Sequence, residues 1–210
     1  KEGKDILYIS FSSALSGTCQ SANIASDMLK EKYPEREIRV VDSLAASMGE
    51  GLLVYYAAKL RLDGKSLSEV ASFVEDNRLK LAHWFTVDDL FFLHRGGRLS
   101  STSALLGTML GIKPVLHVDN EGRLILVEKV RGRKKSLDKL IEKMLETVEK
   151  PEEQIIFISH GDCPEDAAYI EAKIREKFNV KDIFINYIDP VIGSHSGPGT
   201  VALFFLASKR

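Results

Sequence analysis

The chain is 210 residues long, 44% hydrophobic and 28% charged, with 29 basic residues against 30 acidic ones. That balance excludes global disorder and leaves no bulk field to draw nucleic acid or an anionic membrane. A chain of this length buries roughly 70% of its unfolded surface, enough for a core without metal or disulfide staples, in one large domain or two small ones.

Residues 5–10 (DILYIS) read as a buried strand, followed by a Ser-rich, Gly-containing turn and a helix with Ala22, Ala25 and Leu29 on one side. Residues 37–42 (EIRVVD) read as the next strand, again entering a small-residue turn, 43–47, ahead of an apolar helix carrying Leu52, Leu53, Tyr56 and Leu60. This repeated strand-loop-helix order predicts a parallel, doubly wound sheet with ligand loops at the carboxyl ends of its strands. Leu67, Val70, Ala71 and Val74 mark an amphipathic helix, and 81–87 is extended. Beyond this point the character changes. Residues 113–118 and 124–130 flank Asp119-Asn120-Glu121-Gly122, the signature of an antiparallel hairpin. Leu137, Leu140, Ile141, Met144, Leu145 and Val148 keep helical spacing. Residues 155–159, a helix through Ile170, Ile174 and Phe178, and 183–188 add a β-α-β stretch. The expected division is 1–81, an α/β part with a parallel sheet, and 82–210, an α+β part.

Cys19 and Cys163 are isolated, without zinc-ligand spacing or the density of a disulfide scaffold, and read as free thiols of a reducing cytosol. The longest apolar runs, 51–58 and 201–207, fall short of the ~20 residues of a membrane span. No signal peptide is visible. These features predict a cytoplasmic protein. His83, His94, His117, His160 and His195 form no close ligand spacing, so no metal is expected.

Four segments could carry chemistry. The turn Ser12-Ser13-Ala14-Leu15-Ser16-Gly17-Thr18 gathers hydroxyls and backbone N–H groups where a strand gives way to a helix, which suits either an anion site or a simple cap. Residues 193–200 (GSHSGPGT), placed between a strand and an expected apolar helix, have the spacing of a hydrolase elbow with His195 where the nucleophile would stand. They also overlap a loose dinucleotide fingerprint whose acidic downstream strand is missing. A His among glycines can approach a ligand closely, or be an ordinary exposed turn residue. His94-Arg95-Gly96-Gly97-Arg98 offers two guanidinium forks for an anion or carboxylate-bearing partner, against a solvated turn. Arg131-Gly132-Arg133-Lys134-Lys135 is a basic knot; with no aromatic interleaving it gives a DNA-binding regulator little support.

Taken in order, SSALSGTCQSA (12–22), VDSLAASMGEGLLV (41–54), HRGGRLS (94–100), LGIKPVLHVDNEGRL (from Leu110), VRGRKKSL (130–137) and IGSHSGPGTVALFF (192–205) resemble the DegV family of bacterial fatty-acid-binding proteins that serve a fatty acid kinase. The resemblance implies a two-domain α/β carrier without catalysis of its own. One long-chain fatty acid lies with its tail in an apolar tunnel and its carboxylate held in the interdomain cleft. A separate kinase makes the acyl phosphate that feeds phospholipid synthesis. It assigns the carboxylate to Ser12 or Ser13, with a slight preference for Ser13, and to His195, and the kinase-facing surface to Arg95 and Arg98. No cofactor, no nucleic acid and at most peripheral membrane contact are implied. The family also has an upstream strand and a Thr-Ser-rich loop that nothing here matches, and the chain starts at Lys1; the first part is therefore expected to lack its first strand. The rival reading, carried by glycine-flanked His195, resembles the ketone-binding subunit of dihydroxyacetone kinases; a long apolar tunnel or a small polar hole tells the two apart.

Overall fold

The structure is a computed structural model and describes residues 2–100 and 111–210, so the first residue of the LGIKP block, Leu110, lies outside the described residues. Among the described residues, eight strands fall into two sheets. β1 (Ile6–Ser10) and β2 (Ile38–Asp42) pair in parallel, Ile6 opposite Ile38 and Ser10 opposite Asp42. The six-stranded sheet has the order β5-β4-β3-β8-β6-β7, built from β3 (Leu81–Thr86), β4 (Ile112–Val118), β5 (Leu124–Arg131), β6 (Ile155–His160), β7 (Asp182–Tyr187) and β8 (Val201–Leu206). Its neighbours run antiparallel except β6 and β7. The fold is thus mixed α/β, a parallel sheet beside a mixed one.

Among the described residues the α-helices are α1 (Thr18–Lys32), α2 (Met48–Leu62), α3 (Leu67–Asn77), α4 (Leu90–Arg95), α5 (Arg133–Thr147), α6 (Pro164–Lys177) and α7 (Pro190–Ser196). α3 starts on a capping box in which Ser66 and Glu69 satisfy each other's backbone N–H groups. The amphipathic face of α5 buries Leu137, Leu140, Ile141 and Met144 on one side of the six-stranded sheet, together with Ile170 and Ile174 of α6. Its opposite side packs Phe85, Leu116, Phe157 and Phe204 against Leu52 and Leu53 of α2, Val70 and Val74 of α3, and Val41 of β2. α2 therefore lies between the two sheets, and it comes so close that a Cβ on Gly49 would stand 2.9 Å from the Phe204 ring.

Two expectations need correction. The apolar run 201–206 is not a helix. It is β8, at the centre of the sheet between β3 and β6, and because both its faces are covered it shows no alternation. The face of α1 predicted from Ala22, Ala25 and Leu29 is not the buried one; α1 buries Cys19 and Ser26, and Leu29 is 37% exposed, since a sheet two strands wide covers only part of the helix.

Candidate functional site

The serine turn comes directly off β1. Ser12 is fully buried; its hydroxyl donates to the Gly122 carbonyl (2.8 Å) in the β4–β5 hairpin, and its N–H donates to Ala45 O (2.9 Å). Ser13 is exposed, and its N–H points at the Asp42 carboxylate (3.3 Å to Oδ1), so Asp42 already fills the anion position here. Neither serine caps α1. The helix begins after Gly17, and Thr18 donates its N–H to the Ser16 hydroxyl (3.2 Å).

Two distant glycine-bearing segments then meet. Asp189 starts α7 by accepting from the N–H groups of Val191 and Ile192, with Pro190 in the first helical turn. Asp89 likewise starts α4 by accepting from Phe91 N–H at 2.8 Å. These short helices put His195, in the last turn of α7, against Gly96, just past the end of α4: a Cβ on Gly96 would overlap His195 Nδ1 and lie 3.2 Å from Cγ and Cε1. Gly197 and Gly199 both hold φ +77, and side chains there would run into Phe92 and Asp88. His195 is thus carried at a helix end leading into a strand, rather than in a strand-to-helix loop.

Arg98 ties this contact to the serine turn. Its Nε donates to Leu15 O (3.1 Å) and its Nη1 to Gly96 O. Arg95 is exposed, its guanidinium 4.9 Å from the Phe92 ring centroid. Arg133 of the basic knot is spent on structure. It donates to the Asp166 carboxylate (2.8 Å from Nε) and to Gly199 O (2.6 Å), and lies 3.6 Å from Asp88.

Between the sheets lies a cavity of about 500 Å³ whose wall includes Phe11, Leu15, Phe85, Leu93, Ile188 and Ile192. His195 and Arg98 line it; Ser12, Ser13 and Arg95 do not. Ser196 also lines it and has a buried hydroxyl without a hydrogen-bond partner. Sequence reading missed Ser196, along with Glu50, His83 and Ser159 on the same wall. Ser196 follows His195 in the glycine-rich motif, which was a usable signal; the other three had none short of the fold. Burial alone pushes the Glu50 carboxyl up to about 7, and burial, with the nearby charges of Arg210 and His117, holds His83 well below the ordinary imidazole range. Among the described residues no group of His, Cys, Asp and Glu could hold a metal, and no helix is long and apolar enough to cross a membrane. Cys19 and Cys163 are free, and burial raises the Cys163 thiol to about 11, far from a reactive thiolate.

The DegV family model, described as an uncharacterised protein family, matches residues 1–208. A DegV domain-containing protein of Clostridium perfringens is 54% identical over 210 residues, covering 100% of this chain and 72% of that one. A DegV family protein of Ruminococcus gnavus, solved with vaccenic acid, superposes with a TM-score of 0.90 at 28% identity, over 97% of this chain and 73% of that chain. A fatty-acid-binding DegV family protein of Thermus thermophilus gives 0.88 at 32% identity, over 98% and 72%. The fatty acid kinase (Fak) B3 protein of Streptococcus pneumoniae, loaded with linoleic acid, gives 0.87 at 27% identity, over 98% and 73%. By this family match and these likenesses, the chain belongs to the DegV family.

Proposed function

We propose that this chain is a cytosolic carrier that holds one long-chain fatty acid and presents its carboxylate to a separate fatty acid kinase, without catalysing a reaction itself. The observation that carries the reading is the cavity of about 500 Å³, apolar along most of its wall and lined also by an imidazole and a guanidinium. Sites of this volume hold small organic ligands. A buried carboxylate needs donors around it, and His195 and Arg98 supply N–H groups at the wall. The serine turn forms the adjoining wall through Leu15 and Ser16. Of its two leading serines, Ser13 keeps an uncommitted hydroxyl, whereas Ser12 would have to release Gly122 to reach the ligand. Each buried methylene contributes roughly 0.8 kcal/mol, so the tail supplies the affinity and the head group sets orientation. Arg95, with its head in solvent, suits the kinase-facing surface; Arg98 joins it there only at the rim it shares with His195. The fatty-acid-loaded relatives support the same reading.

The rival, phosphoryl transfer to a small ketone held by His195, calls for a small polar hole, and Phe11, Phe85, Leu93 and Ile192 around this cavity speak against it. Extracting the native protein with organic solvent and weighing the released ligand is the test. A long-chain fatty acid is expected. Protein that emerges empty and also fails to bind added fatty acid overturns the proposal. His195→Ala should impair presentation to the kinase more than uptake of the tail; equal loss of both contradicts the orienting role.

A further inference from the structure

Glu50 and His83 take no part in the head-group arrangement, yet both line the cavity. Glu50 stands in the first turn of α2, and among the described residues its carboxyl has no hydrogen-bond or ion-pair partner. His83 is 4% exposed in the middle of β3, its ring 4.5 Å from that of Phe204 and 5.7 Å from that of Phe85, with Nδ1 buried and unpartnered. On the same sheet face, one strand beyond Ala202, Ser159 shares a 3.2 Å hydrogen bond with Ser47 at the start of α2. Behind His83 the space is already taken: Arg210 donates to Leu81 O, and the His117 ring bonds His83 O at 3.1 Å. Nδ1 is sealed, so the side of the ring that lines the cavity is the one carrying Nε2.

A purely apolar chain laid along this wall would strip water from the carboxyl and the imidazole and offer them nothing. Unmet polar groups of this kind are costly to bury. A hydroxyl on the chain removes that cost, because it donates to one partner and accepts from the other. We propose that Glu50 and His83 form a second polar station in the cavity, which selects acyl chains bearing a hydroxyl along their length over plain saturated chains. The proposal rests on the carrier reading and deepens it by naming the class of cargo. The protonation of the pair agrees with it: burial favours the neutral acid of Glu50, a donor, and the neutral imidazole of His83, an acceptor.

The test is competition against a fluorescent fatty acid on the delipidated full chain, using stearic acid and a positional set of hydroxystearic acids. At least one hydroxyl position should bind about tenfold more tightly than stearic acid, the worth of one well-formed buried hydrogen bond. Glu50→Leu and His83→Phe should each reverse that ratio, tightening stearic acid and weakening the hydroxy acid. Glu50→Gln, which keeps a donor, should retain the preference, and it serves where the larger change impairs folding. Stearic acid binding as tightly as every hydroxy acid would overturn the station and leave the carrier intact. Failure of all of them to bind would overturn the carrier reading, and the station with it.

Discussion

Gly96 and Gly97 adjoin one another but constrain different things, and alanine at each separates the site from the fold. Gly96 has an ordinary helical backbone, φ −71, where alanine by itself stabilises by about 0.4–1 kcal/mol through the unfolded chain. Its cost is local: the new methyl would occupy the position of His195 Nδ1, so the imidazole has to leave its seat. Losing a hydrogen bond to a charged group costs about 1.5–3 kcal/mol, or about 10- to 150-fold in whatever depends on that bond. Gly97 reverses the case. Nothing lies within 4 Å of an added Cβ there, but φ is +73, and a left-handed alanine costs about 1–2 kcal/mol. Gly96→Ala should therefore melt within a few degrees of wild type while its carboxylate handling falls at least tenfold; Gly97→Ala should lose about 2–8 °C, from about 2–4 °C per kcal/mol in a chain of this size, and keep its ligand behaviour. Differential scanning calorimetry and phosphorylation of the bound acid by the kinase, on the same preparations, read both quantities. Wild-type presentation in Gly96→Ala, or an equal loss of presentation in Gly97→Ala, would refute the seating of His195 on Gly96.

The contact between the serine turn and the hairpin makes a second prediction. Ser12→Ala leaves the buried Gly122 carbonyl unpaired and should cost about 1–3 kcal/mol by urea denaturation. Gly122→Ala, with φ +78 and a Cβ overlapping Ser12 Oγ and 3.2 Å from Leu44 Cα, should cost about 2–5 kcal/mol. The double variant should recover part of the sum, because one of the colliding atoms is gone; strict additivity would argue against the contact. A third prediction concerns pH. Glu50 rises from 4.5 to about 7 on folding, so the folded state holds its proton more tightly, and the carboxyl destabilises the fold progressively as pH rises from 4.5 to 7. The ceiling is about 3 kcal/mol, and solvent screening of a half-buried group brings it to about 1–2 kcal/mol. His117 works in the opposite sense: its pKa falls from 6.5 to about 4, so stability is lost as pH drops through that range, and His83 adds to the loss. The two slopes offset each other in wild type, and Glu50→Gln should uncover the histidine slope, gaining about 1–2 kcal/mol over wild type at pH 7 but almost nothing at pH 4.5. A gain independent of pH between those limits would refute the assignment.

What was legible in the sequence follows from where each element is half-exposed. β2, α3, α5 and the β4–β5 hairpin have one wet side, or a turn with distinctive chemistry at Asp119 to Gly122, and periodicity reports such sides directly, whereas β1, expected as a buried strand from its apolar run, leaves Ile6 and Tyr8 exposed. β8 has no wet side along most of its length, so Val201 to Phe205 carry no period that separates a strand from the helix expected there. Its length was the better guide, since six apolar residues suit a buried strand and are short for a helix. α4 and α7 are too short for periodicity, yet Asp89 and the pair Asp189-Pro190 announce their starts. In the site, the glycine-rich segments at 94–98 and 193–199 were visible as motifs, but their meeting was not. The overlap that a Gly96 side chain would make with His195 is a fact of two helices about one hundred residues apart in the chain, and no local pattern encodes it.

The cavity wall carries the last step. On the far face of the six-stranded sheet, β3, β8 and β6 present Ala82, Leu203, Phe205, Ile156 and Ile158 to α5 and α6, and the packing there is closed. On the near face the same strands present Phe204 and Phe157 where α2 reaches them, but His83, Ser159 and Ala202 where the cavity opens. Evenly apolar strands would have drawn α2 and the serine turn down onto the sheet and filled the space with core, since voids are costly and collapse where they can. Polar and small side chains at those positions weaken that collapse, and Gly49 lets α2 settle on Phe204 beside the opening rather than over it. The residues that keep the cavity from closing are thus also the ones a ligand must satisfy, so the need for space and the choice of cargo fall on the same few positions of β3, β6 and α2.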